Sequence, residues 1–120
     1  MANELQLSAA LKFVKGPRKV NKTYGGVMID ITGSDYFVGT QTVGTSAELV
    51  NVGDVSSIGY ILVKNLDTTN YVSIRNGASG ADVIDIPAGG VALFQFATGG
   101  VLYAIADTAA CIVEFTIIEV

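Results

Sequence analysis

The chain has 120 residues, half of them hydrophobic and only 15% charged, with a net charge of −4. A mean hydropathy of +0.50 is high for a free soluble monomer, in which about a quarter of residues are charged. The acidic balance argues against a nucleic-acid groove binder, which shows a basic domain or stripe, and with no apolar run of about 18 residues no membrane span is expected.

Residues 5–14 alternate, with Leu5, Leu7, Ala9, Leu11 and Phe13 on one face, which predicts a half-buried strand. The opening residues lack the basic start and continuous apolar run of a signal peptide, so a protein made and kept in a cytoplasm, or in a particle assembled there, is expected. Five of the seven cations, Lys12, Lys15, Arg18, Lys19 and Lys22, crowd into residues 12–22, with Gly16-Pro17 at their centre. This reads as a basic hairpin loop or docking arm within residues 1–22. It is either a contact for an acidic surface or a solvated loop. Val27, Ile29 and Ile31 alternate with polar positions after Gly25-Gly26. Residues 36–45, rich in Thr and Val with two glycines, predict a strand that bends or bulges. Residues 47–52 are another short run, and 46–49 is the one place where a helical turn competes.

Residues 60–66 and 71–75 are rich in β-branched and aromatic residues and flank Asp67-Thr68-Thr69-Asn70, a turn-forming tetrapeptide. A β-hairpin is the natural expectation, pairing Leu66 with Tyr71, Lys64 with Ser73, Val63 with Ile74 and Leu62 with Arg75. Ile61, Val63, Val72 and Ile74 would then face a core. Tyr60, Leu62, Lys64, Tyr71, Ser73 and Arg75 would share the other face, either a partner-binding surface or a wet sheet face. Residues 76–81 open with Asn-Gly and read as a turn, 83–86 as a strand, and Pro87-Ala88-Gly89-Gly90 as a second turn. Residues 91–96 and 101–106 suggest another hairpin, and the last strand alternates Cys111, Val113, Phe115 and Ile117 with Ile112, Glu114, Thr116 and Ile118. About ten short strands with frequent turns predict a single all-β domain over residues 1–120, an antiparallel β-sandwich that is jelly-roll-like.

No catalytic set, cofactor or metal ligand group is expected. There is no histidine, which removes the usual general base and most zinc sites, and there is no phosphate-binding loop. Asp82 and Asp85 are close in sequence but are expected on opposite faces of a strand. Asp35, Asp54, Asp67 and Asp107 have no calcium-loop spacing and read as turn caps. Cys111 is the only cysteine and reads as a small buried hydrophobe.

Several phrases, QTVGTSAE (41–48), GYILVKNLDTTNYVSIR (59–75), IPAGGVALF (86–94) and DTAACIVEFTIIE (107–119), together with the opening MANEL, resemble the small β-sandwich virion proteins of tailed bacteriophages of the head-decoration or cement kind. The resemblance implies a non-enzymatic protein on the capsid surface that clamps the major capsid protein and forms a homotrimer. Interface residues expected on that basis are Tyr60, Leu62, Lys64, Tyr71 and Arg75, with Lys15, Arg18 and Lys19 reaching an acidic neighbour. A tail- or fibre-associated protein, a glycan-binding module, and a β-sandwich from a bacterial adhesin or enzyme stay open as alternatives.

Overall fold

The computed structural model describes residues 4–120 as ten antiparallel strands with no helix. They fall into two compact units, Met1–Thr32 and Gly33–Val120.

The first unit is a long hairpin of β1 (Leu5–Lys15) and β2 (Arg18–Ile29). Gly16 takes φ +57° at the first turn position, and Pro17 fixes the second, the pattern of a type II′ turn that matches strand twist. The basic hairpin expected over residues 12–22 is therefore present, but it is the tip of a longer element. Between the pairs Leu7–Val27 and Ala9–Tyr24, β2 carries one extra residue. Gly26, at φ +66°, absorbs this bulge and donates its N–H to Ser8 Oγ at 3.4 Å. The bulge keeps Leu5, Leu7, Leu11 and Phe13 of β1 on one face with Val20, Tyr24, Val27 and Ile29 of β2. At the open end, Glu4 Oε1 accepts the Ile31 N–H at 3.0 Å. The expected half-burial of residues 5–14 is not met: Leu11 is 65% exposed and Phe13 46%, because a two-stranded ribbon has no second layer of its own.

The second unit holds eight strands in two sheets of four. One sheet has the order β3 (Tyr36–Val43), β10 (Cys111–Glu119), β5 (Ile58–Asn65), β8 (Val91–Gln95); the other has β4 (Glu48–Leu49), β9 (Leu102–Ala106), β6 (Val72–Asn76), β7 (Asp82–Ile86). The inward alternants of both sheets form one apolar cluster around Ile61, Val63, Ile74, Leu102, Phe115 and Ile117. That shared core makes a sandwich. Cys111 is fully buried within it, as expected, and desolvation by that burial is the main cause that raises its thiol pKa.

Two expected hairpins do not form. β5 pairs with β10 and β8, whereas β6 pairs with β7 and β9, so residues 67–70 cross from one sheet to the other. Asn65, fully buried, anchors that crossing. Its Nδ2 donates to the carbonyls of Asn70 (3.0 Å), Ile86 (3.1 Å) and Pro87 (3.3 Å), and its Oδ1 accepts the Asp67 N–H (3.0 Å). Likewise β8 and β9 lie in different sheets, and the turn at 97–100 is a crossing too. Local turn chemistry specifies that the chain reverses but not which strand receives it. The true hairpin here is β6–β7, closed by residues 77–81.

Smaller expectations also shift. Strand β3 pairs with β10 in unbroken register rather than bulging. Gly39 instead makes room for a ring: a Cβ there would lie 2.8 Å from Phe37 Cζ. Residues 46–49 form no helical turn, and β4 begins at Glu48.

Candidate functional site

The alternation that buries one side of each sheet leaves the other side to be read row by row. Across the first sheet, Tyr36, Ile118, Tyr60 and Gln95 lie in one row. Val38, Thr116, Leu62 and Leu93 form the next. Thr40, Glu114, Lys64 and Val91 form the third, and Thr42 and Ile112 begin a fourth. Residues on these rungs share a face because directly paired residues point the same way. Their inward neighbours confirm the direction, since Ile61, Val63, Val113, Phe115 and Ile117 are all 0–1% exposed.

The outer face of this sheet is thus apolar across its width. Tyr36, Val38, Leu62, Val91, Leu93 and Ile112 are all exposed. Its rungs carry one carboxylate and one ammonium, Glu114 directly opposite Lys64. Lys64 Nζ also donates to the Gly89 carbonyl oxygen, which ties the cation to the edge of the face. A largely apolar sheet face with few charges is the kind of surface that a partner covers.

The outer face of the second sheet differs in chemistry. Arg75 Nε donates to Asp82 Oδ1 at 2.7 Å, and Ser73 Oγ donates to Asp85 Oδ1 at 2.6 Å. An extra residue in β7, between the pairs Ile74–Ile84 and Arg75–Asp82, brings both carboxylates to this one face instead of the opposite faces expected. Each is held by a neighbouring side chain in a structural pair. Asp107 joins them: its charge, ahead of burial and of Asp85 and Asp82, raises the Tyr71 pKa. Ser73, expected on an open face, is only 4% exposed under these neighbours.

The expected interface set is therefore divided. Tyr60, Leu62 and Lys64 do share a face, that of the first sheet. Tyr71 and Arg75 belong to the outer face of the other sheet, because β5 and β6 are not paired. Lys15 and Arg18 close the hairpin as its last pair, and Lys19 lies opposite Val14 on the other side of the ribbon. Sequence reasoning missed Tyr36, Val38, Leu93, Ile112 and Ile118. The signal that reaches them is a strand apolar at both parities: in β10, Ile112 and Ile118 interleave with fully buried Cys111 and Ile117.

The carboxylates of Asp67, in the 67–70 crossing, and of Glu119, at the end of β10, are engaged by backbone. Asp67 Oδ2 accepts the N–H groups of Asn70 (2.6 Å) and Thr69 (3.0 Å), and these bonds lower its pKa. Glu119 accepts from Ser56 N–H (2.9 Å), Ser56 Oγ–H (2.8 Å), Ser34 N–H (3.1 Å) and Asp35 N–H (3.4 Å). The Ser56 bonds first, then those from Ser34 and Asp35, lower its pKa to about 2. No group of three or more potential metal ligands occurs among the described residues.

Comparison of the chain with protein-family models, with curated proteins and with solved structures finds no match.

Proposed function

We propose that this chain is a non-enzymatic structural protein of a tailed-bacteriophage particle, a head-decoration or cement protein that seats the outer face of β3-β10-β5-β8 on the major capsid lattice. The observation that carries the reading is that face: apolar side chains in successive rows, one charge of each sign on its rungs, and Leu62, Val38 and Ile112 exposed. The resemblance of the phrases at 41–48, 59–75, 86–94 and 107–119 to small virion β-sandwich proteins supports the same reading. The strand orders 3-10-5-8 and 4-9-6-7, in which the first and last strands of the sandwich are neighbours and the remaining pairs alternate between sheets, support reading it as a jelly roll. A rigid sandwich suits the task because docking then orders few new groups. Covering apolar area contributes roughly 25 cal/mol per Å², and a lattice repeats that gain at every copy. The same argument favours association of copies, since a charge-poor sandwich with an open apolar face gains by sharing it; the resemblance to virion proteins implies that the oligomer is a homotrimer.

Co-sedimentation with empty expanded phage heads tests the proposal. The full chain pellets with the heads and raises their melting temperature. A chain that stays in the supernatant and leaves head melting unchanged refutes the assignment. Retention on a glycan array without head binding moves the chain to a tail or fibre role.

A further inference from the structure

The hairpin and the sandwich divide the charge of this chain very unevenly. Residues 1–32 hold five cations against two carboxylates, a formal +3, and residues 33–120 hold two cations against nine, a formal −7. The pairing of β1 with β2 sorts the hairpin further. Leu11, Phe13, Val20 and Tyr24 share one face with Lys15, Arg18 and Lys22. All four of those apolar side chains are exposed. An isolated two-stranded ribbon is marginal in water, so this face calls for a cover.

The sandwich presents two outer faces, and only one complements that mixture. The β3-β10-β5-β8 face carries no net charge on its rungs. The β4-β9-β6-β7 face combines exposed Leu49, Tyr71 and Val83 with Asp82, Asp85 and Asp107. Asp82 is already paired with Arg75, but Asp85 is bonded to a neutral hydroxyl, so its charge is left for an incoming cation. Apolar and basic residues on one surface match apolar and acidic residues on the other, which is the complementarity that fixes partner and register in an interface.

We infer that the basic, apolar face of the hairpin docks on the outer face of β4-β9-β6-β7 of a second copy of this chain, linking copies arm to sandwich. The inference deepens the homo-oligomer part of the proposed function and rests on it; it leaves the capsid-facing sheet free.

A charge-swap experiment on the full chain tests it. One variant carries Lys15→Glu, Arg18→Glu and Lys22→Glu; a second carries Asp85→Lys and Asp107→Lys. A third, with Asp107→Lys alone, keeps the Ser73–Asp85 bond. Sedimentation velocity of the wild type shows a species heavier than the 12.5 kDa chain, weakened as salt screens the contact. Each variant alone associates at least tenfold more weakly while circular dichroism stays unchanged. Mixing the hairpin variant with either acidic-face variant restores association. An oligomer indifferent to the hairpin charges, or a mixture that fails to reassociate, overturns this inference and leaves the capsid reading standing. A wild-type chain monomeric at all concentrations overturns the inference and the oligomer together, and head binding by that monomer still decides the capsid reading.

Discussion

Replacing Leu62 by Asp separates the fold of this chain from its docking. Leu62 is 43% exposed, between Thr116 and Leu93 in the second row of the apolar face, and the strand residues on either side of it, Ile61 and Val63, are fully buried. The side chain therefore contributes little to the sandwich core, and the substitution changes folding stability by about 1 kcal/mol or less. Docking is another matter. Fully covering a leucine is worth about 1.5–3 kcal/mol, so the exposed part leaves about 1 kcal/mol to be gained in the complex. A carboxylate forced into the same dry contact adds a penalty of about 2 kcal/mol or more. The sum, about 3 kcal/mol, is about a hundredfold in affinity for each site. Thermal melting of the free variant and its binding to expanded heads are measured side by side. A near-normal melt with binding lost supports the face assignment. Ile61→Asp, one residue away and pointing inward, abolishes the fold. Wild-type affinity in Leu62→Asp would refute the reasoning, because no docking surface centred on that row tolerates the charge.

Three further outcomes follow from the geometry. Asn65→Ala strips the buried anchor of the sheet-to-sheet crossing and leaves the Asp67 N–H and three carbonyls without that partner; chemical denaturation shows a loss of about 2–4 kcal/mol. Glu119 has a folded-state pKa of about 2 against an ordinary 4.5, so its carboxylate contributes stability that is fully present above about pH 4.5 and is lost as the pH falls toward 2. Glu119→Gln is accordingly less stable than wild type at neutral pH, and its melting temperature changes less between pH 4.5 and 2, as a pH series of melts checks. Cys111, buried in the core, is unreactive toward a maleimide in the native chain and is labelled at the rate of global unfolding, read by mass spectrometry against denaturant.

Strand positions and inward faces were legible in the sequence because a period of two is a local property. Ile61, Val63, Val72 and Ile74 were expected inward and are fully buried. Strand partners were not legible. The residues 67–70 have every local mark of a hairpin turn, yet the chain crosses there to the opposite sheet, and the crossing is held by the Asn65 side chain reaching carbonyls at 86 and 87, 21 to 22 residues away. The interface set was split for the same reason: Leu62 and Arg75 were placed together by a register that does not exist. The bulge in β7 that puts Asp82 and Asp85 on one face is equally invisible, since Val83 continues the alternation in sequence and interrupts it only against β6. The basic tip at Gly16-Pro17 was read correctly, because a two-residue turn between alternating runs fixes its own register. How the pairing continues beyond Tyr24 to Ile29 depends on the Gly26 bulge, and the sequence shows only a Gly-Gly pair there.

The central claim, that the outer face of β3-β10-β5-β8 is a docking face for a capsid shell, is tested most directly by side-chain footprinting of the full chain free and bound to expanded heads. Tyr36, Tyr60 and Leu93 are predicted to lose reactivity on binding. Unchanged labelling of all three in the bound chain would contradict the account.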